Sequence, residues 1–172
     1  MKHLTLLLLA MNFFSFLSRA EPVAVGAPAP AVSAKDQEGN TLSFADVYAK
    51  GPTLVYFYPK AETPGCTAEA CSLRDSYTDL HARGLQILGV SKDTSEAQKK
   101  FQSNRKLPFT LIADTDGKVT EAFGVPTYPV VGLTHRQSFI IKDGKIAWSS
   151  LSAETSGAAS EVQKALDSLQ IH

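Results

Sequence analysis

The sequence has few cysteines and no excess of either charge. Its 172 residues include two cysteines, and 17 lysines and arginines balance 17 aspartates and glutamates. Two cysteines, with no histidine or carboxylate pattern beside them, are too few ligands for a typical zinc site. A chain this close to neutral has no overall attraction to phosphate backbones, so nucleic acid is not an expected partner. Repeats and low-complexity tracts are also absent, which favours an ordinary globular protein.

The first 20 residues are typical of a secretory signal. A short basic start is followed by an apolar run, Leu4 to Leu17, and then by Ser18-Arg19-Ala20. We expect cleavage after Ala20, giving an exported protein that is periplasmic or secreted and has no stable membrane association. The alternative is a retained membrane anchor, but the run is shorter than the roughly 20 residues that a spanning helix needs. The processed chain would carry 15 basic residues against 17 acidic ones.

Residues 21–172 are predicted to form a single α/β domain. Apolar β-branched runs alternate with segments of helical periodicity, which favours a central sheet covered by helices. The predicted strands are 31–34, 41–43, 53–58, 85–91, 108–112, 137–141 and 145–148. The predicted helices are 44–49, 66–83, a segment capped by Asp93 or Thr94 and ending near 104, 119–123, and 157–169.

Both cysteines lie in one stretch, directly after a predicted buried strand. Pro59 ends the strand 53–58, and Thr63-Pro64-Gly65 leads into a helix whose first turn contains Cys66. Unpaired backbone N–H groups and the positive end of the helix dipole favour an anion at that position. A thiolate is therefore favoured there, and Cys66 is predicted to be a nucleophile.

Cys71 follows Cys66 by five positions. On a continuous helix this spacing is a rise of roughly 7.5 Å with the side chains about 140° apart. A disulfide needs Cα atoms within about 6.8 Å, so the two thiols can bond only if the helix unwinds locally. Alternatives to a reactive pair are a structural staple, which would contribute only about 2 kcal/mol across so short a loop, and a small buried side chain at Cys71.

The pattern Pro59-x-x-x-Thr63-x-x-Cys66, within the longer string YFYPK-x-x-TPGCT-x-x-x-C, resembles the active-site motif of the peroxiredoxins. The second cysteine is similar in position to that of the Q-type, or bacterioferritin-comigratory, branch. The likeness extends from about Val23 to the C-terminus. It implies a thioredoxin-like fold with a central mixed sheet and helices on both faces. It also implies a thiol-dependent peroxidase in which Cys66 is peroxidatic and Cys71 is resolving.

The same resemblance assigns roles to further residues. Arg136, just before a predicted strand, matches the active-site arginine that holds the thiolate. The Thr63 hydroxyl is expected to donate a hydrogen bond to the sulfur or to the peroxide, and Pro59 is part of the same catalytic motif. On the substrate side, Pro64 would shield the cysteine, beside Gly65 and Tyr58. Tyr58 has an alternative, because an aromatic residue at a strand end is more often part of the core.

The implied partners are a peroxide substrate and a thioredoxin-like dithiol reductant, with no metal, haem or flavin, in a monomer or weak dimer. Two other functions stay open. One is an exported thioredoxin-fold protein, either a copper-handling module or a thiol–disulfide oxidoreductase, although the latter usually shows C-x-x-C. The other is a binding domain stapled by a disulfide. A Cys-His hydrolase has little local support, because no histidine lies in the motif.

The sequence departs from the family pattern in one stretch. Residues 124–135 are shorter and more apolar than the corresponding stretch of the family.

Overall fold

The computed structural model describes residues 21–172, so the predicted signal at residues 1–20 lies outside the described residues. The strands are β1 (Ser33–Asp36), β2 (Thr41–Ser43), β3 (Thr53–Phe57), β4 (Gln86–Ser91), β5 (Thr110–Ala113), β6 (Gln137–Lys142) and β7 (Lys145–Ser150). The helices are α1 (Phe44–Tyr48), α2 (Pro64–Asp75), α3 (Tyr77–Ala82), α4 (Ser95–Arg105), α5 (Lys118–Ala122) and α6 (Ala158–Ser168). Among these, no helix combines the length and the apolar character needed to cross a bilayer.

The strands form one mixed sheet in the order β2-β1-β5-β4-β3-β6-β7. β3, β4 and β5 are parallel neighbours, whereas β6 runs antiparallel to β3 and pairs Gln137 with Phe57. All five residues of β3 are buried, which explains its unbroken apolar sequence. The carboxyl end of this central strand is where ligand crevices form in open α/β sheets.

The sheet separates two apolar clusters, because successive side chains of a strand point to opposite faces. Leu54 and Tyr56 of β3 belong to the cluster that includes α2, α3, α4 and α6 residues. Val55 and Phe57 belong to the other, which includes residues of α1 and α5. The predicted mixed sheet with helices on both faces is confirmed.

The prediction of one helix over residues 66–83 was wrong. Helices α2 and α3 are separated at Ser76, whose φ of −102° and ψ of 7° leave the helical region. Serine competes for backbone hydrogen bonds and favours such breaks. Leu73 and Leu80 are nevertheless both buried, so their seven-residue spacing looked like one continuous helix.

Local turn and cap signals were more reliable than helix length. Ser43 accepts a hydrogen bond from the Asp46 N–H at the start of α1, and Thr94, rather than Asp93, caps α4. The two-residue turn between β6 and β7 has positive φ at Asp143 (53°) and Gly144 (71°), as a type I′ hairpin requires.

β7 is the last strand of the sheet, and part of it is lined by the extended segment before β1, residues 22–30, which we call the lead-in. The Gly26 N–H donates to the Ile146 carbonyl at 2.8 Å, and the Ile146 N–H donates to the Ala27 carbonyl at 2.9 Å. Pro28 forms an isolated antiparallel bridge with Lys145. The first part of β7 therefore has a partner on its outer side.

Candidate active site

Cys66 lies where the main chain leaves the centre of the sheet and enters a helix. β3 ends at Phe57, and α2 begins at Pro64, so Cys66 is the third helical residue. The first-turn N–H groups of a helix have no acceptor within the helix, and they favour a negative charge. The Cys66 side chain is 1% exposed, so water and large partners have little access to the sulfur in this conformation.

Arg136 supplies a cation to the sulfur. Its Nη2 atom lies 3.2 Å from Cys66 Sγ and donates a hydrogen bond to it. Arg136 immediately precedes β6, and the pairing of Gln137 with Phe57 brings it to the same end of β3 as Cys66. The structure therefore brings together two residues that are 70 positions apart in the sequence.

Glu69 completes this group, and the sequence analysis missed it. It lies one turn after Cys66 on α2, is 1% exposed, and accepts a hydrogen bond from Arg136 Nη1. The guanidinium thus has one terminal nitrogen on the carboxylate and the other on the sulfur, which fixes its plane. The spacing of three residues between Cys66 and Glu69 was the available signal, because residues at i and i+3 share a helix face.

Burial disfavours the charged forms of Glu69 and Arg136, whereas the attraction between the two groups favours them. Burial raises the pKa of Glu69 to about 8, although Arg136 opposes the shift. Burial also works against the charge of Arg136, but Glu69 and Cys66 leave the pKa of the guanidinium above its ordinary value. Glu69 Oε1 is buried and has no hydrogen-bond partner among residues 21–172. The carboxyl is therefore a site where a proton can be held beside the cysteine.

The loop between β3 and α2 has its own hydrogen bonds. The Thr63 hydroxyl donates to the Lys60 carbonyl at 2.9 Å rather than to the sulfur. The Ala61 N–H donates to Asp93 Oδ2 at 2.8 Å. Thr63 therefore stabilises the loop in this structure. Its predicted hydrogen bond to a peroxide stays a prediction. Pro59, at the start of the loop, is half-buried.

Tyr58 is a core residue rather than part of a substrate pocket. It is fully buried, its ring stacks on Tyr56 with centroids 5.5 Å apart, and its hydroxyl donates to Gln98. The prediction of a substrate contact is corrected accordingly, since the phenol already has its partner. Gly65 does lie beside the site, because a Cβ there would be 3.4 Å from Arg136 Nη2. Pro64 is exposed at the first position of α2.

Cys71 lies on the same uninterrupted helix as Cys66, and both thiols are free. Helical geometry keeps them too far apart to bond, as the spacing predicted. Within residues 21–172, no three side chains of the histidine, cysteine, aspartate or glutamate type converge in a way that could hold a metal ion.

Fold and site together define a thioredoxin-like α/β protein with a buried thiol at a helix start, held by an arginine–glutamate pair. The chain belongs to the AhpC/TSA family, whose model matches residues 25–149. It is 42% identical over 125 residues to chloroplastic peroxiredoxin Q of Sedum lineare, a match that covers 72% of this chain and 67% of that protein. It is also 42% identical to peroxiredoxin Bcp of Escherichia coli K12, covering 73% and 83% of the two chains. The chain is thus a homologue of thiol-dependent peroxidases.

Solved structures agree with this assignment. Peroxidoxin BcpB of Mycobacterium tuberculosis superposes with a TM-score of 0.79 at 29% identity, covering 84% of this chain and 97% of that one. Peroxiredoxin Q of Xanthomonas campestris has a TM-score of 0.75 at 24% identity, with 85% and 96% covered, and supports the fold alone. Some of the plant relatives are longer, and the match covers 55% of peroxiredoxin Q from Suaeda salsa.

Proposed function

We propose that the protein reduces hydrogen peroxide and organic hydroperoxides through Cys66. The observation that carries this proposal is the position of Arg136 Nη2, 3.2 Å from Cys66 Sγ at the start of α2. A fixed cation next to the sulfur stabilises the thiolate, which is the nucleophilic form. The same cation can stabilise the negative charge that develops on a departing oxygen.

In the first step, the Cys66 thiolate attacks one peroxide oxygen and the O–O bond breaks. The sulfur is oxidised to a sulfenic acid, and the other oxygen leaves, takes up a proton, and becomes water or an alcohol. Arg136 and the first-turn N–H groups of α2 would stabilise the charge on the oxygens. Contacts with the peroxide are proposed for Pro59, Pro64 and Gly65. Thr63 would join them once its hydroxyl leaves the Lys60 carbonyl.

In the second step, the Cys71 thiol condenses with the Cys66 sulfenic acid. The S–O bond breaks, an S–S bond forms, and the hydroxyl leaves with the thiol proton as water. Because Cys66 is 1% exposed and the helix separates the thiols, this step requires local unwinding of α2. A thioredoxin-like dithiol protein would then reduce the bridge.

The deciding experiment mixes the reduced protein with one equivalent of hydrogen peroxide and follows free thiols and intact mass. We expect rapid loss of both thiols and a Cys66–Cys71 bridge. The Cys71→Ser variant should instead stop at one added oxygen on Cys66. Oxidation of the wild-type protein at the rate of free cysteine would refute the peroxidase and favour a stapled binding domain.

We further propose that the protein is exported after cleavage following Ala20, which would make its reductant an exported thioredoxin-like protein. The composition of residues 1–20 supports this proposal. Sequencing the N-terminus of the exported protein tests it: Glu21 as the first residue is expected, and a retained Met1 would contradict cleavage.

The Glu69→Gln variant should change how stability depends on pH. Because burial raises the pKa of Glu69 to about 8, the folded protein holds a proton that the unfolded chain releases near pH 4.5. This contribution to stability is complete below pH 4.5 and is lost as the pH rises towards 8. Urea unfolding of the reduced wild type from pH 5 to 9 should therefore show a decline that is reduced in Glu69→Gln. Parallel pH profiles for the two proteins would show that Glu69 does not titrate in this way.

A further inference from the structure

The backbone at Glu62, four residues before Cys66, has an uncommon conformation. Its φ of 63° is in the left-handed region, which residues other than glycine seldom adopt. Its carboxylate is held on both oxygens by the end of α4: Asn104 Nδ2 donates to Oε1 at 2.7 Å, and Arg105 Nε and Nη2 donate to Oε2 at 3.1 and 2.6 Å. These charge-assisted bonds hold the loop that enters α2.

The chain that follows Cys71 is also attached to the end of α4. Arg74 lies three residues after Cys71 on α2, and its Nη1 donates to the Arg105 carbonyl at 2.8 Å. The end of α4 therefore contacts the chain on both sides of the segment Cys66 to Cys71. We name Glu62, Arg74, Asn104 and Arg105 the α4 clamp.

We propose that the α4 clamp sets the rate at which Cys71 reaches Cys66, by holding both ends of the helical segment that must unwind. This inference rests on the proposed function, since it concerns the second step of that reaction. The two thiols can meet only after α2 opens, so the rate of bridge formation follows the fraction of molecules in which the segment is open. Each bond of the clamp lowers that fraction.

The clamp is charged and partly solvated. The Arg105 and Glu62 side chains are 40% and 31% exposed, so their ion pair alone contributes modestly. Partial burial opposes ionisation of Glu62, but the bonds from Asn104 and Arg105 lower its pKa, so the carboxylate is charged at neutral pH. Several weak contacts on one short segment are sufficient to bias a local opening, without being needed for the global fold.

Two substitutions test the clamp from its two sides. Arg105→Gln removes the ion pair to Glu62. Arg74→Gln removes the bond to the Arg105 carbonyl, and because Arg74 also contacts Asp75 and Cys71, its rate of bridge formation is interpreted together with its amide exchange. In each variant we expect bridge formation after a single peroxide addition to be about two- to fivefold faster, as a partly exposed contact allows. The first oxidation of Cys66 should stay within about twofold of the wild type, because neither side chain belongs to the Cys66, Glu69 and Arg136 group.

The matched control is Lys99→Gln, which removes an ion pair to Glu38 from the same helix without touching α2. It should leave both steps unchanged. Amide exchange of residues 64–75 is measured in parallel on the reduced proteins, and it should be faster in Arg105→Gln and Arg74→Gln than in the control. Unchanged exchange in both, or wild-type rates of bridge formation, would overturn the clamp. If the wild type forms no bridge at all, the proposed resolving step fails instead, and the exchange comparison alone decides whether the clamp holds the segment.

Discussion

The Cys66→Ser variant should lose peroxide reduction, falling roughly 10⁴-fold or more, because the nucleophile of the reaction is removed. A serine hydroxyl fits the space of the thiol, and Arg136 can still donate to it, so the fold should be retained. The measurement is the initial rate of peroxide consumption with dithiothreitol as the reductant, alongside the thermal midpoint of unfolding.

Cys71→Ser is the control for this variant. It should keep the wild-type rate of the first oxidation, since Cys71 acts only in the second step. A Cys66→Ser protein that still consumes peroxide at the wild-type rate would remove Cys66 from the chemistry. Equal losses in the two variants would mean that the first and second steps are not divided between the cysteines as proposed.

Arg136→Ala should slow the reaction of Cys66 with peroxide by about 10²–10³-fold, as expected when one preorganised donor to a developing oxyanion is lost. The loss has two physical parts. Without the guanidinium, the thiolate is less stabilised, and Glu69 is left as an unpaired buried carboxyl. Stopped-flow measurement of thiol oxidation at several peroxide concentrations gives the second-order rate constant directly.

Arg83→Ala provides the comparison for Arg136→Ala, because Arg83 is also an arginine in an ion pair, but its partner is the exposed Asp167 rather than a residue of the active site. It should react like the wild type. Arg136→Lys should recover only part of the rate, since a single ammonium group cannot contact both the sulfur and the carboxylate as a planar guanidinium does. Unchanged kinetics in Arg136→Ala would exclude the arginine from the site.

The position of Cys66 was predictable because every signal for it is local. A buried strand, a proline break and a Thr-Pro-Gly entry to a helix lie within 14 residues, and the structure has each of them in place. Arg136 could be assigned only through the family resemblance. Its approach to Cys66 depends on the antiparallel register of β6 on β3, which periodicity does not specify.

The surroundings of Glu69 and Tyr58 could not be predicted from the sequence near them. A glutamate on a helix is usually exposed, so the three-residue spacing from Cys66 was too weak a signal to predict that Glu69 is buried. Tyr58 directly follows β3, and this position suggested that it lies in the substrate pocket. Its hydroxyl instead donates to Gln98, 40 residues later, within the core. In both cases the deciding partner comes from a distant element.

The attachment of the lead-in to β7 has a consequence for aggregation. A strand at the end of a sheet presents unpaired N–H and C=O groups, which other chains can extend into a larger sheet. The lead-in occupies these groups on Ile146 and places Pro28, which has no N–H to offer, opposite Lys145. The fold thus blocks intermolecular strand addition along this part of its own edge, using residues that take no part in the thiol chemistry.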